Sequence, residues 1–226
     1  MSTEHIVLEG EHLAGIAAEH GFHDLKAILD HPENAELKKL RENPFLLVAG
    51  DRVFIPDPEP KDESASTEQR AIFQLAGLGL ELHAKIVDQG FAAFSGDVTL
   101  KALGTTTPMK PNGEVFEAFL DPTAKQATLQ FPVSETERKR PPINLEPGRL
   151  DPIDLLSGVQ QRLNNLGYFA GFVKTPATDP KKLEQQDLQL FMAVQEFQCD
   201  HMKVPDDVDG VPGKKTLDKL KEVDGV

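Results

Sequence analysis

The amino-acid sequence predicts an α+β multidomain protein with a small βααβ domain, a middle antiparallel β-sandwich and a C-terminal three-helix bundle. Its 226 residues exceed one typical domain and suit two or three small ones. Charged, proline-rich stretches at 58–67 and 134–149 are predicted to be linkers. The predicted domains are therefore residues 1–57, 68–133 and 150–226.

The first predicted domain has the order strand, helix, helix, strand. Apolar runs at 5–8 and 53–55 predict the two strands. Between them, apolar residues recur at helical spacing, and Gly21 lies where a left-handed residue would end the first helix. The apolar residues with helical spacing are Leu13, Ile16, Ala17, Leu25, Ile28 and Leu29.

Two stretches of this domain resemble the LysM domain. Residues 10–17 stand where that family has Gly-Asp-Thr-Leu-x-x-Ile-Ala, and residues 49–56 match its closing Pro-Gly-x-x-Leu-x-Ile-Pro. LysM modules bind the N-acetylglucosamine-containing backbone of peptidoglycan or chitin in a shallow groove between two loops. The resemblance implies a LysM-like glycan site formed by Gly10, Glu11, His12 and Leu13 on one side and Leu29, Asp30 and His31 on the other. The alternative is that these residues only shape the fold.

The second loop of this domain departs from the LysM pattern. Residues 32–48 lengthen it with a charged segment, so the groove is expected to be altered or covered.

The middle segment alternates between apolar and polar residues, as half-buried strands do. Leu80, Leu82 and Ala84 share one face, with Glu81 and His83 opposite. Turn signals at intervals of about eight to twelve residues predict a small antiparallel β-sandwich. Nothing in this segment forms a catalytic constellation, which favours a spacer or an interaction surface.

The third segment carries apolar stripes at helical spacing and marked helix boundaries. Asp151 as N-cap and Pro152 as first helical residue predict a helix start, and Gly167 predicts its end. Asp209–Gly210 predicts a turn before the last helix. The stripes consist of Leu155, Val159, Leu163 and Leu166, then Phe191, Val194 and Phe197, and finally Leu217 and Leu220.

Three stretches here resemble the three-helix peptidoglycan-binding domain found beside many cell-wall hydrolases. Residues 159–168 fit its opening helix, residues 193–198 its Ala-Val-x-x-Phe-Gln signature and residues 208–217 its Asp-Gly-x-x-Gly-x-x-Thr stretch. Residues 172–186 replace the family's first Asp-Gly-x-x-Gly turn. The predicted C-terminal glycan contacts are Gln160, Asn164, Asn165, Tyr168 and Gln198, and the alternative is that several of these only cap helices or solvate the surface.

Composition excludes several classes of function. The formal charge of −13, with 37 acidic and 24 basic residues, argues against nucleic-acid binding, and no apolar stretch suits membrane insertion. The single Cys199 cannot form an intramolecular disulfide. No histidine spacing supports a catalytic metal, so we predict no cofactor, no metal site and no catalytic residues.

We therefore predict a non-enzymatic, modular protein whose partners are peptidoglycan glycan strands. The whole layout resembles accessory proteins of contractile injection systems such as type VI secretion, which implies a spike protein or toxin as a further partner. The start of the sequence has no signal-peptide pattern, so we expect cytoplasmic synthesis and delivery to the periplasm or a target cell by such a system. The first alternative is a structural adaptor or chaperone with vestigial glycan grooves, and the second is a cell-wall hydrolase with a cryptic carboxylate site.

Overall fold

The computed structural model describes residues 2–41, 43–58, 78–87, 92–132, 140–171, 188–202 and 204–225. These residues form six α-helices and nine β-strands, and all of the strand pairs are antiparallel. The chain divides into two compact units. The first contains the described residues of 1–40 and 49–149, and the second those of 41–48 and 150–226. The predicted first and middle domains thus fall in one unit.

The N-terminal part of the first unit follows the predicted order of strand, helix, helix and strand, with one further helix. Its elements are β1 (Thr3–Ile6), α1 (Leu13–Glu19), α2 (Lys26–Leu29), α3 (Ala35–Leu40) and β2 (Arg52–Ile55). β1 pairs with β2. Gly21 follows α1 with a φ of +77°, so it ends that helix as predicted. The lengthened loop contributes α3.

Asn34 fastens the start of that loop to the strand pair. It ends a short 3₁₀ turn, Pro32–Asn34, and is buried. Its side-chain amide donates to the carbonyls of Ile28 and Phe54, both at 2.8 Å, and its oxygen accepts from the Phe54 amide at 2.8 Å. The extra loop residues are therefore integrated into the fold at this point.

In the remainder of the first unit, the described residues form two sheets. The strands are β3 (Leu80–Lys85), β4 (Val98–Ala102), β5 (Thr105–Met109), β6 (Pro111–Asn112), β7 (Val115–Leu120), β8 (Ala127–Gln130) and β9 (Ile143–Leu145). Their orders are β3-β7-β6 and β5-β4-β8-β9. Apolar residues from both sheets, including Leu100, Phe116 and Leu129, form one core. The predicted alternation is observed in β3, where Leu80, Leu82 and Ala84 are half-buried and the intervening residues are exposed.

The predicted linker 134–149 contains a strand. β9 pairs with β8, with Ile143 opposite Leu129 and Leu145 opposite Ala127. The prediction overlooked it because the three-residue strand directly follows two prolines, which favour an extended linker. Pairing with a neighbouring strand stabilises the extended conformation that the prolines begin.

The described residues of the second unit form three α-helices that share a core. They are α4 (Leu156–Asn165), α5 (Leu188–His201) and α6 (Lys214–Asp224). Leu163, Val194 and Leu220, one from each helix, are buried together in that core. Within the part of the chain that the structure describes, no helix is both long and apolar enough to cross a membrane.

The predicted helix start at Asp151–Pro152 is wrong, because α4 begins four residues later. Its N-cap is Leu155, which provides no side-chain cap. The preceding backbone instead folds onto the helix, and a Cβ at Gly158 would lie 2.0 Å from the Pro152 carbonyl oxygen. Arg162 donates to the Asp151 carbonyl at 2.8 Å. These tertiary contacts outweigh the local preference of an Asp-Pro pair for the start of a helix.

A buried ion pair connects the first and last helices of the second unit. Arg162 Nε lies 3.4 Å from Asp224 Oδ2, and both side chains are almost completely buried. Arg162 also donates to the Gly158 carbonyl at 3.0 Å. Burial raises the pKa of Asp224, and the facing guanidinium only partly offsets this effect.

Candidate functional site

The turn after α4 is fastened by two of the predicted glycan-contact residues. Asn164 accepts from the Ala170 amide at 2.8 Å and donates to the Gly171 carbonyl at 3.0 Å. Gln160 is buried and donates to the Ala170 carbonyl at 3.1 Å. Both amides are thus directed at the backbone, and they shape the turn instead of facing solvent.

The same turn exposes an amide and an aromatic ring. Gly167, with a φ of +94°, ends α4, and the Tyr168 amide donates to the Leu163 carbonyl at 2.9 Å. Asn165 is exposed, and Phe169 is 57% exposed. Phe169 was not among the predicted contacts because its apolar side chain suggests core packing. The sequence signal for it was its place two residues after Gly167, the glycine that ends α4.

Tyr168 joins this turn to the end of α5. Its hydroxyl donates to Asp200 Oδ2 at 2.9 Å and lies 3.1 Å from His201 Nε2. Its ring packs edge-on against the buried Phe197, with 5.6 Å between the ring centroids. Burial and the neighbouring Asp200 carboxylate raise the pKa of Tyr168, so its hydroxyl stays protonated at neutral pH. Asp200 itself is exposed, and its carboxylate can accept hydrogen bonds from solvent or a ligand.

Gln198 organises the loop before α6 and is only 1% exposed. Its oxygen accepts from the amides of Asp209 at 3.0 Å and Gly210 at 2.8 Å. Its nitrogen lies 2.9 Å from Asp209 Oδ1, 3.1 Å from the Val211 carbonyl and 3.0 Å from Thr216 Oγ1. Because its polar atoms are all engaged inside the protein, Gln198 positions the loop and has no free group for a sugar.

On the first edge of the predicted N-terminal groove, two residues face inward. His12 is 8% exposed, and Leu13 is buried. Glu11 is held by its own neighbours, because its Oε2 lies 2.8 Å from His5 Nε2 and accepts from the Leu8 amide at 2.8 Å. Gly10, with a φ of +80°, is exposed.

An open cleft adjoins this edge. The start of α1 lines one side of it, and Pro122, Lys125 and Pro147 line the other. The cleft therefore lies between α1 and turns of the sheets within the first unit.

The second edge of the predicted groove does not line that cleft. Leu29 is buried, Asp30 is exposed and pairs with Lys38 of α3 at 2.9 Å, and His31 stacks on Phe54 with 4.6 Å between the ring centroids. The cleft is thus lined by Gly10, Glu11 and His12 of the first edge and by no residue of the second.

Among the residues that the structure describes, no group of three or more His, Cys, Asp or Glu side chains is placed to hold a metal ion. Residues 172–186, the predicted departure from the peptidoglycan-binding family, lie outside the described residues.

The comparisons with known proteins give one match. No curated protein and no solved structure matches the chain significantly. A family model described as a putative peptidoglycan binding domain matches residues 155–220, which include α4, α5 and the loop that Gln198 holds. The LysM resemblance and the resemblance to secretion-system proteins stay predictions. The match thus assigns residues 155–220, and not the whole chain, to the putative peptidoglycan-binding family.

Proposed function

We propose that the chain is a non-enzymatic peptidoglycan-binding protein that binds glycan through its second unit. The family match over residues 155–220 carries this proposal. The surface that we assign to binding, called here the turn surface, consists of Asn165, Tyr168, Phe169 and Asp200.

The turn surface has the chemistry that a sugar ring requires. Hexoses present hydroxyl groups around a weakly apolar face, so binding sites for them combine an aromatic surface with a few amide or carboxylate groups. The exposed Phe169 ring offers the apolar surface, and Asn165 offers both a donor and an acceptor. The Tyr168–Asp200 hydrogen bond connects the turn to α5 and fixes the tyrosine hydroxyl.

Sedimentation with purified sacculi tests this assignment. Phe169→Ala is expected to weaken retention of the full chain about tenfold, because a central aromatic contact commonly contributes more than 1 kcal/mol. Phe119→Ala is the matched control, since Phe119 is 78% exposed on β7 in the other unit. If the sacculi retain Phe169→Ala as strongly as the wild-type chain and Phe119→Ala, the assignment of glycan binding to the turn surface is contradicted.

The same incubation tests the absence of enzymatic activity. A non-enzymatic binder releases no soluble muropeptides and leaves the turbidity of the sacculi unchanged. Release of muropeptides by the wild-type chain would support the alternative of a hydrolase with a carboxylate site.

A structural adaptor is the second candidate, and the burial of His12 and Leu13 favours it. Residues that the LysM resemblance assigns to glycan are here used in packing, as expected of a vestigial groove. Co-purification from the native host distinguishes the two functions. A stoichiometric protein partner without retention on sacculi would support the adaptor.

We further propose an accessory or cargo-associated role in a contractile, type VI-like secretion system. Its support is the resemblance of the layout, which implies delivery to the periplasm or a target cell. A spike protein or toxin recovered in that co-purification is the expected partner, and recovery of cell-division proteins alone would contradict this role.

A further inference from the structure

His12 occupies an unusual position at the start of α1. Its Nδ1 accepts a hydrogen bond from the Gly15 amide at 3.2 Å and so caps the helix. The side chain is buried, although the resemblance to LysM domains would place it at a sugar-binding edge. The residues that bury the His12 side chain therefore bear on the function of that edge.

Two turns of the sheet part of the first unit cover the imidazole ring. The Pro122 carbonyl accepts a hydrogen bond from His12, and a Cβ at Gly15 would lie 3.2 Å from that carbonyl oxygen. On the other side, the backbone of Gly148, with a φ of +72°, packs so closely that a Cβ would lie 2.3 Å from the ring carbon Cδ2. The ring is thus enclosed by α1 and by residues from two separate turns.

These contacts require the neutral form of His12. An imidazole that accepts at Nδ1 and donates from Nε2 is the uncharged tautomer. Protonation would place a hydrogen on Nδ1, directed at the Gly15 N–H, and the helix cap would be lost. Its two hydrogen-bond partners are a backbone amide and a backbone carbonyl, neither of which carries a charge that could stabilise an imidazolium.

Six charged side chains stand on the elements that surround His12. They are Glu11 and Glu19 on its own segment, Asp121 and Lys125 on the first turn, and Glu146 and Arg149 on the second. Glu11 is engaged with His5, Asp121 with Thr123 and Arg149 with Glu9 and Glu146. Burial therefore dominates and lowers the pKa of His12, although the Pro122 carbonyl and the two glutamates act in the opposite direction.

We propose that His12 is a pH-sensitive latch, which holds residues 10–13 against the turns at Pro122 and Gly148 while neutral and releases them when protonated. The direction of the pH dependence follows from the lowered pKa of His12, because the released state binds the proton more readily than the latched state. The latch holds fully above the ordinary histidine pKa of 6.5. It weakens as the pH falls below that value, and this behaviour does not depend on glycan binding by residues 155–220.

The Gly15 amide reports directly on the latch, because it donates to His12 Nδ1 and protonation of Nδ1 removes that acceptor. The experiment is residue-resolved amide exchange by NMR on the full chain at about pH 7.5 and about pH 5, corrected for intrinsic exchange. We expect the protection factor of Gly15 to fall at least about tenfold at the lower pH. Equal protection at the two pH values would overturn the proposal.

Three variants assign the pH dependence. His12→Asn keeps a capping side chain but does not titrate, so the Gly15 protection factor should change less than about twofold between the two pH values. The matched control His23→Asn removes an exposed histidine of the same segment and should respond as the wild type does. Gly148→Ala places a methyl group where it would collide with the His12 imidazole ring, so it should loosen the latch already at neutral pH. Wild-type pH dependence in His12→Asn would contradict the latch, as would unchanged protection in Gly148→Ala.

Discussion

Replacing Gln198 by alanine is the sharpest test of how the second unit positions its C-terminal loop. The amide of Gln198 is the shared hydrogen-bond partner of Asp209, Gly210, Val211 and Thr216. Alanine removes both its donor and its acceptor. The Gly210 amide, which donates to it at 2.8 Å in a buried position, then loses its partner.

The structure gives the expected magnitude. An unsatisfied buried amide costs about 1–3 kcal/mol, and the remaining hydrogen bonds contribute about 0.5–1.5 kcal/mol each where water cannot replace them. Since several of these bonds are only partly buried, we expect Gln198→Ala to lower the free energy of unfolding of this unit by about 3 kcal/mol. At about 1.4 kcal/mol per factor of ten, that is more than a hundredfold change in the unfolding equilibrium.

Hydrogen–deuterium exchange of α5 and α6 measures this change within the full chain. Their most protected amides exchange through unfolding of the unit, so their exchange should accelerate by the same factor. Gln195→Ala, on the same helix, makes the same chemical change at a half-buried position and should alter exchange less than about threefold. If both variants exchange alike, Gln198 does not hold the loop.

Three further substitutions test individual packing and polar contacts of the two units, each by urea denaturation followed by circular dichroism. Gly210→Ala should destabilise by at least about 2 kcal/mol, because Gly210 has a φ of +71° and a Cβ would lie 2.3 Å from Phe191; a cost near zero would contradict that packing. Asp224→Asn should lower the free energy of unfolding by about 3–5 kcal/mol, because the buried charge of Arg162 loses its counter-ion. Replacing both residues by apolar ones should recover most of this loss. Asn34→Ala should cost about 2–3 kcal/mol through its three lost hydrogen bonds, and a value below 1 kcal/mol would show that they contribute little.

Helix ends were predictable from the sequence because a single local requirement determines them. Gly21 and Gly167 both have positive φ angles directly after a helix, where glycine avoids the steric penalty of a Cβ. The alternation in β3 was predictable for a similar reason, since a strand with one buried face has a period of two. In contrast, the N-terminus of α4 depends on the approach of Pro152 to Gly158, which no local pattern encodes.

For the predicted site residues too, the sequence indicates their position along the chain but not what packs against them. Asn165 and Tyr168 are in the turn that the sequence indicated, but the sequence could not distinguish them from Gln160 and Gln198, whose amides point inward. Spacing along a helix gives the face on which a side chain lies, and burial depends on what packs against that face. For His12, that packing comes from residues more than a hundred positions away, which explains why the sequence suggested an open edge.

Residues 41–48 belong to the second unit, although both of their flanking segments belong to the first. The polypeptide therefore passes from one unit to the other three times, near residues 40, 48 and 149. No single cut separates the units. A fragment that begins at residue 150 lacks part of its own unit, including the buried Leu47. Stability or binding measured on such a fragment would therefore describe an incomplete unit. An internal deletion of residues 41–48 would disturb the second unit, although these residues lie between segments of the first.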